Sequence, residues 1–192
     1  MRLQDCALVI LASGLSERFG KADKLMADFR GKPLVQHAID AADMLPFAER
    51  FAVIHNASQK RRALFKTYGF DLIDNDNPKA GMGGSLKLAA EAALEKDHKA
   101  ICVMLGDMPF VETQDIFNLI HNLTDKDKVI SYCNKTLMPP AIFANDALRD
   151  LLNIDSESGA KALFSSGGFY KHPLSDRAAR DIDTPETLAE LS

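Results

Sequence analysis

Short apolar runs alternate with helical patterns along most of the chain, and this alternation decides which class of fold it can adopt. Ala7 to Leu11, Phe51 to Ile54, Phe70 to Ile73, Ala100 to Leu105 and Val129 to Tyr132 read as strands. The first is apolar enough to be buried on both faces, and Ala100 to Leu105 reads as a central strand for the same reason. Helical spacing runs through Pro33 to Leu45, from Ser58 towards Tyr68, through Ser85 to Leu94 and from Thr113 to Leu123. Pro33 suits a first turn, and Ser58 and Thr113 are candidate caps. Strands that alternate with helices predict an α/β fold with a mostly parallel sheet covered on both faces. Beyond Lys135 the pattern loosens. Ala141 to Phe143 reads as a strand, Asn145 to Leu152 and Gly159 to Phe164 as helices, and Phe169 to Lys171 and Arg180 to Ile182 as weak strands. Thr184 to Leu191 is expected to close the chain as a helix with Pro185 in its first turn.

The 192 residues contain no linker, repeat or low-complexity segment, so one domain spanning 1–192 is expected. A net charge of -4 gives no general attraction to nucleic acid or to an anionic membrane, so a phosphate ligand must be held by a local site. No apolar run approaches the ~20 residues of a membrane span. The start, MRLQDCALVI, lacks the pattern of a cleaved leader, which makes the cytoplasm the expected location. Cys6, Cys102 and Cys133 are too few and too widely spaced for a disulfide framework or a zinc site. Cys6 and Cys102 read as small buried side chains. The histidines show no metal-ligand spacing, and His37 and His121 read as packing or surface residues on helices.

In such a sheet, ligands gather at the carboxyl ends of the strands, where strand order reverses. Four segments are expected at that edge: the loop after the first strand, the turn-rich Asn75 to Gly84, Gly106 to Pro109, and Asp181 to Asp183. The first, LASGLSERFGKADK from Leu11 to Lys24, carries Gly14 and Gly20 for close backbone approach to an anion. Its Arg18, Lys21 and Lys24 supply positive charge. The glycine spacing and the Ala22 after Lys21 fit neither the Walker nor the dinucleotide pattern. On its own, then, the segment is either a triphosphate cradle or a surface loop with scattered basic residues. Asp107, just past a buried strand and stiffened by Pro109, suits a magnesium ligand or a turn aspartate. Asp183 is either a second carboxylate or the cap of the closing helix. Asp181 points to the same side as Asp183 if the segment is extended. Gly81-Met82-Gly83-Gly84-Ser85 reads either as a glycine loop that lets the main chain reach a base or ribose, or as an ordinary loop before a Ser-capped helix.

Taken together these segments resemble the small nucleotidyltransferases that attach a nucleotide to molybdopterin. The resemblance covers nearly the whole chain. It is carried by Leu11 to Leu25, GKPLVQHAI at Gly31 to Ile39, GMGGSLKLA at Gly81 to Ala89, LGDMPFV at Leu105 to Val111, PAIF at Pro140 to Phe143, SGAKALF at Ser158 to Phe164 and DIDTPETL at Asp181 to Leu188. The Gly-Met-x-x-Ser-Leu segment is more similar to the cytidylyl-transferring branch than to the guanylyl branch. The resemblance implies a single-domain Rossmann-like nucleotidyltransferase fold that uses CTP and Mg2+ and releases pyrophosphate. It assigns nucleotide contacts to Leu11, Ala12, Ser13, Gly14, Arg18, Lys24, Gly81, Met82, Gly83, Ser85 and Asp107. It assigns the catalytic work to Arg18, Lys24 and Asp107, and the metal to Asp107 and Asp183, with Asp181 the other candidate. The sequence departs from the usual pattern at Ser13, Phe19, Lys161, Met138-Pro139-Pro140 and Thr187; of these, Lys161, Met138 to Pro140 and Thr187 lie in the half expected to meet the acceptor.

The expected partners are therefore CTP, or another nucleoside triphosphate, a molybdopterin-type acceptor, and a recipient molybdoenzyme or its chaperone. Guanylyl transfer to molybdopterin or transfer to a sugar phosphate would keep the fold. A cofactor chaperone without turnover would have less need of two metal carboxylates. A flavodoxin-like signalling domain phosphorylated on Asp107 would have no need of the basic first loop.

Overall fold

The computed structural model of the protein describes residues 2–20, 22–55, 58–123, 126–154 and 168–192. Its centre, among the described residues, is a sheet of seven strands. These are β1 (Cys6–Ala12), β4 (Glu49–Ile54), β5 (Asp71–Asp74), β6 (Ala100–Leu105), β7 (Lys128–Cys133), β8 (Thr136–Ala144) and β9 (Tyr170–Pro173). A separate short pair, β2 (Asp28–Phe29) and β3 (Lys32–Pro33), runs antiparallel. The order across the sheet is β5-β4-β1-β6-β8-β7-β9. Pairing is parallel from β5 to β6 and between β7 and β9, and β8 alone runs against its neighbours. The sheet is therefore mostly parallel and flanked by helices, as the alternation of apolar runs predicts.

Two faces of the sheet bury two apolar layers, and the two-residue period of a strand sorts the side chains between them. Along β1, Cys6, Leu8, Ile10 and Ala12 join one layer, and Ala7, Val9 and Leu11 join the other. Helix α1 (Leu34–Asp43) adds Leu34, Val35, Ala38, Ile39 and Ala42 to the first layer at helical spacing. Helix α3 (Gly81–Glu95) adds Leu86, Ala89, Ala90 and Ala93 to the second. Each large aliphatic side chain fully buried this way contributes about 1.5–3 kcal/mol. Among the described residues no helix is long and apolar enough to cross a bilayer.

Several local expectations are corrected. Pro33 precedes α1 as its cap residue instead of lying in its first turn. Ser58 stands at the cap position of α2 (Gln59–Thr67), but its hydroxyl makes no bond to the helix and donates to Asp23 at 2.6 Å. Thr113 begins α4 (Thr113–His121) but spends its hydroxyl on the Ala41 carbonyl at 2.7 Å. The cap position is Glu112, whose N–H donates to the Asp115 carboxylate at 2.9 Å. Arg180 to Ile182 is not a strand; the Ile182 N–H instead donates to the Asp107 carbonyl at 3.0 Å. The strand read at Ala141 to Phe143 is the end of the nine-residue β8. The strand read at Phe169 to Lys171 is β9, which starts at Tyr170. Helix α5 (Asn145–Asp150) gives way to a short 3-10 turn, Leu151–Asn153. The closing helix α6 (Pro185–Leu191) is capped by Thr184, whose hydroxyl accepts from the Thr187 N–H at 3.2 Å, so Asp183 is free of that duty. The helix expected at Gly159 to Phe164, with Lys161, lies outside the described residues, as does Lys21.

Candidate active site at the carboxyl edge of the sheet

β1 is the point where strand order reverses, since β4 and β5 lie on one side of it and β6 on the other. The loops that leave β1 and β6 therefore flank the crevice where open α/β sheets hold ligands. A bond from the Gly106 N–H to the Leu11 carbonyl at 3.2 Å extends the strand pairing into that edge. Gly106 leaves little room for a side chain: a Cβ there would lie 3.0 Å from Val35 Cγ2 and 3.2 Å from Leu25 Cδ1.

Lys24 is the centre of the site. It opens a 3-10 turn, Lys24–Met26, and is buried to 8% exposure. Its ammonium donates to Asp107 Oδ2 at 2.7 Å and to Asp183 Oδ1 at 2.9 Å. Arg18, on the exposed arm of the first loop, pairs with the other oxygen of Asp183 at 3.0 Å. Residues 83 and 159 positions away from Lys24 are thus drawn to one cation. The link between the two carboxylates is the backbone bond from Ile182 to Asp107 already described, with the Ile182 side chain fully buried.

The charges tune one another. Burial alone would lower the Lys24 pKa, but the charges and hydrogen bonds of Asp107 and Asp183 outweigh it and raise it above the usual lysine value. Burial likewise pushes Asp183 up, and Lys24 and Arg18 bring it below the ordinary carboxylate value. Asp181 lacks such a partner: its own burial, then the negative charges of Asp183 and Asp107, raise its pKa. Asp181 makes no hydrogen bond to Lys24 of the kind made by Asp183.

Among the described residues, Asp107 Oδ1 is the one buried side-chain polar atom left without a hydrogen-bond partner. An orphaned carboxylate oxygen beside a second carboxylate is a donor set that a hard cation fits. Among the described residues no three acidic, histidine or cysteine side chains gather into an all-protein metal cage. Magnesium does not need one, because it commonly takes one or two carboxylates and completes its shell with water and substrate phosphate.

A cleft of about 400 Å³ opens over this cluster. Its lining includes Glu17, Arg18, Lys24, Pro78, Lys79 and Asp183. Of the residues singled out from the sequence, Arg18, Lys24 and Asp183 line this cleft, and Asp107 is bonded to Lys24. Leu11 and Ala12 are buried in the end of β1, and their carbonyls accept from Gly106 and from Arg61. Gly14 lies in the open part of the loop. Gly81, Met82 and Gly83 are not a loop: they form the first turn of α3, entered through the 3-10 turn Pro78–Ala80 and a positive φ of 69° at Gly81.

Ser13 and Ser85 do meet, but deep inside. Their hydroxyls are 2.8 Å apart, and the Asn75 amide donates to both at 3.2 Å. This buried group ties the first loop, the end of β5 and the start of α3 together. Sequence reasoning missed Asn75, Lys79 and the ion pair of Asp23 with Arg61. Asp23 had a signal in its place directly before Lys24. Arg61, in the basic stretch Gln59 to Arg62, had none.

A mostly parallel sheet with basic and acidic groups converging at its switch point is a layout that can hold a phosphorylated ligand. The comparisons with known proteins agree. Residues 8–173 match the model of the MobA-like NTP transferase domain, and the chain belongs to that family. The molybdenum cofactor guanylyltransferase of Shewanella halifaxensis is 23% identical over 190 residues, covering 95% of this chain and 92% of its own. Rv0371c from Mycobacterium tuberculosis H37Rv superimposes with a TM-score of 0.85 at 22% identity, over 100% of this chain and 98% of that one. Its complex with manganese gives 0.77 at 20% identity and 97% coverage of both chains. Molybdopterin-guanine dinucleotide biosynthesis protein A from Archaeoglobus fulgidus gives 0.72 at 19% identity and 96% coverage of both. The unrelated signalling-domain reading falls with this family assignment.

Proposed function

We propose that the protein transfers CMP from CTP to the phosphate of a molybdopterin-type acceptor and releases pyrophosphate. The observation that carries this reading is that Arg18, Lys24 and Asp183 line one cleft at the switch point of the sheet and that Lys24 is bonded there to both Asp183 and Asp107. A phosphate monoester is mostly ionised near neutral pH, since its second pKa is about 6, so the nucleophile needs no strong base. That suits a cleft lined by cations and carboxylates. The acceptor oxygen attacks the α-phosphorus, and the bond to the β,γ-diphosphate breaks with its electron pair leaving on the pyrophosphate. Arg18 matches two phosphate oxygens at once, and Lys24 acts as a point charge beside them. Both cations would neutralise charge that grows on the leaving group. Asp107 and Asp183 would hold the divalent cation, which supplies Lewis-acid stabilisation of phosphoryl oxygens when bound.

The choice of CTP rests on the Gly-Met-x-x-Ser-Leu segment at the start of α3. Guanylyl transfer is the second reading, favoured by the guanylyltransferase names of the curated relatives. Pyrophosphate release, measured with CTP and with GTP, with and without Mg2+ and molybdopterin, tests both. CTP-dependent release that requires all three components supports the proposal. Release from GTP alone would move the activity to the guanylyl branch. No release from either nucleotide would refute the enzyme reading.

A further inference from the structure

We infer that Arg61, from a helix outside the cleft, is a positioning residue that closes the first loop at its base and so sets Lys24 and Arg18 for a triphosphate. The inference rests on the nucleotide reading above.

Arg61 lies in α2 and is buried to 4% exposure. Its guanidinium holds Asp23 with two parallel bonds, Nη2 to Oδ1 at 2.5 Å and Nε to Oδ2 at 3.1 Å. Its remaining terminal nitrogen donates to the carbonyl of Ala12. Ala12 is the last residue of β1, and Asp23 immediately precedes Lys24. One side chain thus grips the two ends of residues 13–22, the segment that carries Gly14 and Arg18. Asp23 passes the constraint on: it accepts from the Leu25 N–H at 3.1 Å and caps the turn that begins with Lys24. Ser58, also next to α2, donates to the same carboxylate at 2.6 Å.

Such a buried ion pair is weak evidence for stability, because the cost of stripping water from both charges offsets most of their attraction. Its geometry instead fits a constraint. A planar fork can grip a carboxylate with two bonds and still reach a carbonyl, which an ammonium cannot. A loop held closed before the ligand arrives loses less freedom on binding, so the affinity for the ligand rises.

The test uses the full chain and the variants Arg61→Lys, Asp23→Asn and, as a control on the same helix, Arg62→Lys. The Arg62 guanidinium pairs with Asp74 instead of with Asp23. Limited trypsin digestion reads the rate of cutting after Arg18, and calorimetry reads the binding of CTP and GTP with Mg2+. In Arg61→Lys we expect cutting after Arg18 to speed up about tenfold relative to other sites, and nucleotide affinity to fall by a similar factor. The control should match the parent in both. Parent-like cutting and affinity in a folded Arg61→Lys protein would overturn the inference. So would cutting that speeds up equally at all sites, which marks a structural role only. If Arg61→Lys does not fold, Asp23→Asn reads the same clamp from its other side. If the parent binds neither nucleotide, the functional reading fails, and the digestion still decides whether Arg61 closes the loop.

Discussion

Asp107 is the side chain on which the proposed chemistry is most directly tested. One of its oxygens is satisfied by Lys24 and the other is buried without a partner. A fold does not keep such an oxygen for stability, since an unsatisfied buried polar group costs about 1–3 kcal/mol. Asp107→Asn should therefore leave the protein folded and lower kcat by about 100-fold or more. A variant that keeps the parent kcat at saturating Mg2+ and nucleotide would remove Asp107 from the chemistry. The carboxylates also write a pH dependence into stability. The pKa values of Asp23 and Asp183 are lowered in the folded protein: burial acts against this shift, and Arg61 and Lys24 respectively overcome it. Each pair therefore contributes stability that is complete above the ordinary carboxylate value of 3.8 and disappears as pH falls through the lower folded value. Lys24, raised above 10.5, acts in the opposite sense and loses its contribution only in strong base. On the acid side, melting temperature should thus fall steeply only below about pH 4, and Asp23→Asn should start lower at neutral pH with a shallower acid limb. An acid limb as steep in the variant as in the parent would contradict this.

Elements were legible where one physical signal dominated. The apolar continuity of β1 and β6 and the helical spacing of α1 and α3 place four elements that frame the site. The hairpin of β7 and β8 was not read as one, because its two-residue turn is Asn134-Lys135. Both residues have positive φ, 49° and 67°, the conformation that Asn-Gly usually announces. The glycine-rich stretch Gly81 to Gly84 signalled a loop because glycine lowers helix propensity, yet it forms the first turn of α3, directly after the 3-10 turn Pro78–Ala80. At the end of β6, contact replaces propensity as the constraint. Gly106→Ala would force a methyl against Val35 of α1 and against Leu25, the neighbour of Lys24. We expect a loss of about 1–3 kcal/mol in denaturant unfolding and a lower kcat from the displaced Lys24. A fully stable and fully active variant would show that α1 and the 3-10 turn yield without effect on the site.

At the scale of the whole molecule, topology makes the site. Lys24, Asp107 and Asp183 are far apart in the chain, and each looked ambiguous alone. They meet because β1 and β6 are adjacent at the switch point and the segment before α6 bonds back to the residue after β6. Sequence alone named these residues through their type, their place after apolar runs and a family resemblance. It could not name Arg61 or Asn75, whose roles depend on packing between elements. The account stands or falls on where a nucleotide sits. A crystal structure of the protein with CTP and Mn2+, with the metal located by its anomalous scattering, is the most direct measurement. The predicted result is one nucleotide in the cleft over Lys24, with the metal bound by Asp107 and Asp183 and phosphate oxygens in reach of Lys24 and Arg18. A triphosphate bound at another edge of the sheet, or a metal that touches neither carboxylate, would contradict the account.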